Sequence, residues 1–416
     1  SIECCFNEPL ATGAQNADFQ RDMEAWSAIA PQLYIWDYVT NFRNYLLPHP
    51  NLHVFAPNIR FFVENKAIGV FEQGDAGSTC GEFPELRAWL LAHLMWDPSR
   101  DDSALIHEFM TGYYGAAAQP LEEYLKLTSD AGEKSGACLR CFLSDTSSWF
   151  ALDDISRATA LFDEAQRLVA GDSALSKRVR RARLVLDHAW LNRYHALKRL
   201  AVAEGKPFAG PADPVAFCGD FVRTCNEFDA GSIGEGAPFG GYAQQLMSRF
   251  RAPAPAPDIC SGLREQDWVD VQDNEFSLAS EGVWAAIVDE PLASDEKAAR
   301  MPANHGQWAV QYPVSGDVVF EGKARCHVYA RCDAKASSAN AFQLGIYDGK
   351  NGVSVSQQIV SIADSAGSEY RRFDLGVQSL NTEMYVWIAP MGNPDEVDGR
   401  SEEHTSELQS RGLTSY

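Results

Sequence analysis

Asp37 and Glu72 are the residues whose types and placement suggest chemistry. Each lies near the carboxyl end of a short apolar run, Leu33-Tyr34-Ile35-Trp36-Asp37-Tyr38 and Ile68-Gly69-Val70-Phe71-Glu72-Gln73. Glu3, in Ile2-Glu3-Cys4-Cys5-Phe6, occupies a similar place in a third run. Paired carboxyls of this kind suit glycoside hydrolysis, which needs one protonated acid at the leaving oxygen and one carboxylate as base or nucleophile. Trp36, Tyr38 and Gln73 flank the acids and are candidate sugar contacts, and desolvation by the aromatic neighbours would raise one carboxyl pKa. Arg43 and Arg60 are further substrate-binding candidates, suited to a uronic-acid carboxylate. The competing reading is that the arginines and acids pair to brace the rim.

The three acids are 34 and 35 residues apart. That interval is close to the roughly 31 residues per unit of an eightfold β/α barrel, whose chemistry sits at the carboxyl ends of its strands. Phe19, Met23, Trp26, Ile29 and Ala30 recur at helical spacing between the first two runs, and residues 58–63 can form a helix before the third. Pro84 suits the first turn of a helix carrying Leu86, Leu90 and Leu94. Residues 1–100 are therefore expected to be the carboxyl-terminal βα units of a TIM (β/α)8 barrel whose earlier strands precede Ser1.

From 101 to 251 the pattern is helical, a helical domain. Ile155, Ala158, Phe162 and Ala165 form one stripe and Val179, Ala182, Leu186, Trp190 and Leu197 a second, longer one, with Gly171-Asp172-Ser173 as stop and cap. Lys177, Arg178, Arg180, Arg181 and Arg183 read as a solvated or salt-bridged surface. Residues 252–262 open with Ala-Pro repeats, a stiff linker. In 263–399 the period shifts to two, which predicts an antiparallel β-sandwich of jelly-roll type, with the end of the last run at the tail junction leaving room for a missing closing strand. Trp284, Trp308, Tyr347 and Trp387 there offer aromatic faces to a sugar or fill the core. Arg400 to Ser410 resembles a translated sequencing-library adapter, so 400–416 is set apart as a disordered, artefactual tail.

Fifty-seven acidic residues against 35 basic give a net charge of −22, which disfavours nucleic acid. No apolar stretch approaches the roughly 20 residues of a membrane span. Cys138-x-x-Cys141 lacks the partners of a zinc or thioredoxin site, and the ten cysteines are read as structural. His188 and His195 are read as packing residues. The proposed hydrolysis requires no metal and no cofactor.

The runs containing Glu3, Asp37 and Glu72, with Phe55-Ala56-Pro57-Asn58-Ile59-Arg60, Glu82-Phe83, Trp96-Asp97-Pro98 and Gly112-Tyr113-Tyr114-Gly115, resemble a bacterial family, domain of unknown function 4838, over roughly residues 1–130. The resemblance implies a glycoside-hydrolase-like barrel related to alpha-glucuronidases and hexosaminidases, commonly followed by a β-sandwich, and a carbohydrate substrate attacked outside the cytoplasm. A secreted or periplasmic location is therefore expected, with the signal region upstream of this fragment. It also allows the general acid to lie upstream of Ser1, in which case the segment does not turn over alone. A non-catalytic carbohydrate-binding protein and a structural module are the alternatives.

Overall fold

A computed structural model describes residues 4–250, 257–264, 267–294, 296–306, 308–320, 322–333 and 339–392, and the backbone of 405–409 and 413–415. The chain divides into two compact units, residues 1–194 with 207–246 and residues 195–206 with 247–416. The βα segment and most of the helices thus share one unit, where separate domains at 1–100 and 101–251 were expected. Residues 252–256 of the expected linker lie outside the described residues.

The first unit begins with α1 (Ala17–Ile29), β1 (Leu33–Tyr38), α2 (Leu52–Glu64), β2 (Ala67–Gln73) and α3 (Pro84–Trp96). Strands β1 and β2 are parallel, in register from Tyr34 opposite Gly69 to Tyr38 opposite Gln73, and α2 makes the crossover. Residues 4–6, expected as a third strand, form none, and Cys4, Cys5 and Phe6 are buried. The observed sheet has two strands, so the βαβ repeat is present while a barrel is not formed by the described residues.

Helices α4 (Asp102–Tyr114), α5 (Ala118–Ser135), α6 (Leu152–Leu168), α7 (Ser173–Asn192), α8 (Tyr194–Ala203), α9 (Pro214–Glu227) and α10 (Phe239–Arg249) follow in the chain, with a small hairpin of β3 (Ser232–Gly234) and β4 (Ala237–Pro238); nearly all of α8 and the last residues of α10 are counted with the second unit. Ile155, Ala158, Phe162 and Ala165 are buried along α6. The Asp172 carboxylate accepts from the Ala174 and Leu175 backbone N–H groups and starts α7, as the sequence predicted. The second stripe does not run as one helix, because α7 ends at Asn192 and α8 begins at Tyr194. The basic cluster is salt-bridged: Arg183 to Asp163 and Asp187, Arg180 to Glu227, and Arg181 to Glu85. Arg178 lies over the Tyr113 ring, 4.2 Å from its centroid.

Cys5 is disulfide-bonded to Cys138 across 133 residues of sequence. The link was not legible in the sequence, since Cys138 invites pairing with Cys141, which is instead buried and outside the disulfide. A crosslink closing so long a loop restricts the unfolded chain strongly and typically contributes about 2–4 kcal/mol. Reduction, or Cys5→Ser, is expected to lower the melting temperature of this unit. Thiol counting under denaturing, non-reducing conditions should find two fewer titratable thiols than the ten cysteines of the sequence; a full count would refute the bond.

The second unit carries β5 (Trp268–Val269), β6 (Ser277–Leu278), β7 (Ala286–Asp289), β8 (Lys297–Pro302), β9 (Val310–Pro313), β10 (Ala324–Cys332), β11 (Asn340–Asp348), β12 (Val353–Ser361), the short α11 (Ile362–Ser365), β13 (Arg371–Gln378), β14 (Met384–Pro390), β15 (Thr405–Gln409) and β16 (Leu413–Ser415). One antiparallel sheet has the order β12-β11-β14-β9-β6; the other runs β5-β16-β10-β15-β8-β7, with β13 also on β10. Ala299, Met301, Val328, Ala330 and Phe373 from one sheet share a core with Tyr312, Phe342, Leu344, Ile346 and Ile388 from the other, which makes the unit a sandwich. The tail expected to be disordered supplies β15 between β8 and β10 and β16 between β5 and β10. Those strand edges carry unpaired backbone groups, and an extended segment of almost any composition can satisfy them.

Candidate active site

The β1–β2 register places Asp37 directly opposite Glu72. Paired residues on adjacent strands project to the same face, and the strands are about 4.8 Å apart, so the two carboxyls are neighbours. They border a small recess with a cavity volume of ≈ 10 Å³, about the space of one water, lined by Phe6, Asn51, Val54, Phe55, Asn58 and Leu91. Val54, Phe55 and Asn58 come from α2 and Leu91 from α3, so the acids face the helical layer.

This apolar surrounding sets the proton affinity of the pair. Burial raises the Asp37 carboxyl to about 6, opposed by the backbone N–H of Tyr38. Burial, and then the Asp37 charge, push Glu72 up to about 8. The Glu72 Oε2 is buried and has no hydrogen-bond partner among the described residues. Near neutral pH the pair therefore holds one proton, mainly on Glu72, beside an ionised Asp37. Folding raises both pKa values above the ordinary carboxyl range near 4, so the native state binds more protons than the unfolded chain between about pH 4 and 8. Stability is expected to fall as pH rises through that interval. Thermal melts at pH 5 and pH 8, with Asp37→Asn as control, check this; a pH-independent difference between the two proteins would exclude it.

Two of the three expected contacts flanking the acids lie on the other side of the sheet. Trp36 meets Phe71 edge-on at 5.1 Å, and its Nε1 donates to Gln73 Oε1 at 2.8 Å. Tyr38 borders the recess, yet its ring stands edge-on to Phe42 at 5.4 Å. The reason is the period of two in a strand, which sends residues 36 and 38 away from 37 and residue 73 away from 72. Tyr34, Trp36 and Phe71 make that face strongly exposed, at 79%, 62% and 54%. Arg43 is exposed in the loop after β1. Arg60 is committed elsewhere, its Nε donating to Pro98 O at 2.8 Å and its Nη2 to Arg100 O at 2.9 Å. Glu3 lies outside the described residues.

The sequence reading missed the groups that hold the loop behind Asp37. Arg87 of α3 donates to the Val39 and His49 carbonyls, at 3.1 and 2.7 Å, and to Asn51 Oδ1. It also pairs with the buried Glu82 at 2.6 Å. Glu82 in turn accepts from the His49 backbone N–H at 3.0 Å and the Tyr124 hydroxyl at 3.2 Å. Asn51 donates to Val39 O at 3.2 Å. His49 is held neutral, since burial and the Arg87 charge lower its pKa to about 3. The one sequence signal was an Arg on the apolar side of α3 five residues after Glu82.

Residues 1–126 match the family model named Domain of unknown function (DUF4838). The matched segment contains the acid pair and the whole Glu82–Arg87–Tyr124 network. No curated protein matches the chain in sequence. Among solved structures it is similar to a family GH115 4-O-methyl-alpha-glucuronidase with specificity for decorated arabinogalactans, at 11% identity and TM-score 0.28, covering 92% of this chain and 51% of that one. It is similar also to a GH138 enzyme targeting pectin rhamnogalacturonan II, at 10% identity and TM-score 0.31, covering 96% and 60%. The CBM22-1 xylan-binding domain of Xyn10C from Paenibacillus barcinonensis matches 35% of this chain over 88% of its own length, at 14% identity and TM-score 0.24. The chain thus spans between half and two thirds of the length of the two enzymes.

Proposed function

We propose that the chain is part of a glycoside hydrolase in which Glu72 is the general acid and Asp37 the ionised partner. The observation that carries this reading is a facing carboxyl pair whose surroundings leave one member protonated and one charged near neutral pH. Their positions near the carboxyl ends of parallel strands joined by a helix match the end at which (β/α)8 barrels carry their chemistry, while the pair faces the helical side of the sheet. In a retaining enzyme the partner of the general acid attacks the sugar directly. Asp37 would then be the nucleophile. The Cys5–Cys138 bond supports a secreted or periplasmic location, where disulfides persist.

The test is to express the complete polypeptide of the gene and screen it against aryl glycosides and uronic-acid-containing oligosaccharides. Turnover that disappears in Asp37→Asn and Glu72→Gln supports the assignment. A second reading, glycan binding without catalysis, is favoured by the exposed Tyr34, Trp36 and Phe71 face. It predicts binding that survives both acid substitutions and no turnover in any protein.

A further inference from the structure

We propose that the outer face of the five-stranded sheet in the second unit is a binding platform for an uncharged oligosaccharide. Phe342, Leu344 and Ile346 of β11 point into the core, so Gln343, Gly345 and Tyr347 point out. The ladder then aligns Gln357, Gly345, Trp387, Gln311 and Ser277 in a single row across all five strands. The next row sets Ser354, Tyr347, Tyr385 and Pro313 side by side.

Gly345 shapes the surface. A Cβ there would meet the Ser356 carbonyl at 2.4 Å and the Trp387 indole at 3.2 Å, so glycine lets the indole lie across β11. Tyr347 and Tyr385 pack with ring centroids 5.2 Å apart and an interplanar angle of 35°. Trp387 and Tyr385 are two positions apart on one strand, about 7 Å, so the aromatic surface is longer than one sugar ring. Gln357 Nε2 donates to Gln343 Oε1 at 3.0 Å, which places carboxamides beside the indole. Among the described residues the Trp387 N–H and the Tyr347 and Tyr385 hydroxyls meet no protein partner.

The chemistry selects the occupant. The protein carries a net charge of −22, yet no side chain in these two rows is charged. A polyanion or polycation would find no counter-charge. A pyranose offers apolar C–H faces to the aromatic rings and hydroxyls to the three glutamine amides and Ser277. An apolar protein face would leave those amides desolvated and unpaired. This site is separate from Asp37 and Glu72 and stands whether or not that pair is catalytic.

The whole chain should be run in native affinity gels and titration calorimetry against soluble mixed-linkage β-glucan, galactan and arabinoxylan, with polygalacturonate as the charged control. Retardation by at least one neutral polymer and none by polygalacturonate is expected. Trp387→Ala should weaken binding about tenfold or more. Tyr385→Ala and Gln311→Ala, which touch the core less, should weaken it severalfold with unchanged melting. Glu72→Gln should bind as wild type, which separates this outcome from that of the hydrolase reading. Absence of retardation by every neutral polymer, equal retardation by polygalacturonate, or full binding in folded Tyr385→Ala and Gln311→Ala would overturn the proposal.

Discussion

Replacing Glu72 with glutamine is expected to reduce glycoside turnover about 10²–10⁴-fold, the usual contribution of a positioned proton donor. Glutamine keeps the shape and loses the transferable proton. Asp37→Asn should cost a similar factor, and the double variant little more, because residues acting as one unit are not additive. The pH profile gives a second readout. Activity needs Asp37 ionised and Glu72 protonated, so the wild type should be bell-shaped between about 6 and 8. In Asp37→Asn the neighbouring negative charge is gone, and the Glu72 pKa should move down. Stability moves the other way: Glu72→Gln removes a carboxylate forced to ionise beside Asp37, so its melting temperature at pH 8 should equal or exceed that of wild type. Wild-type-like turnover in Glu72→Gln would remove it from the mechanism.

The second large effect falls on Arg87. Arg87→Met leaves the Glu82 carboxylate buried with only the His49 N–H and the Tyr124 hydroxyl as donors, and leaves the Val39 and His49 carbonyls without their guanidinium. Breaking a buried ion pair from one side costs about 3–5 kcal/mol. At about 2–4 °C per kcal/mol for a unit of this size, melting should fall by roughly 10 °C. The exposed Asp18–Arg21 pair is the control, since surface pairs contribute about 0–1 kcal/mol. Arg87→Met with Glu82→Gln should recover part of the loss, because no charge is then stranded. A melting temperature within about 1 °C of wild type for Arg87→Met would show that the network contributes no net stability.

Because Val39 follows Asp37 by two residues, the same variant probes positioning. Loosening the loop should lower turnover while leaving the pH profile of the surviving activity in place. A direct proton-transfer role for Arg87 would shift that profile instead.

Sequence pattern alone located β1 and β2, their crossover helix, the Asp172 cap and the antiparallel strands after the proline-rich stretch. These depend on neighbours in the chain: periods of two and 3.6 residues, a capping side chain, a proline at a first turn. It also placed acids at both strand ends. Alternation along a strand was equally legible and, applied to residues 36, 37 and 38, would have split the expected site into two faces.

Only the tertiary structure decided that Asp37 stands opposite Glu72 beneath α2 and α3, because register and helix packing join residues 35 positions apart and set the burial that shifts their pKa values. It decided the Cys5–Cys138 pairing across 133 residues, and the convergence of Glu82, Arg87 and Tyr124. It likewise lined up Gln357, Gly345, Trp387, Gln311 and Ser277, contributed by five strands scattered over about 110 residues. A sequence states which side chains are available, whereas proximity between distant ones, and the water it excludes, exist only once the chain has packed.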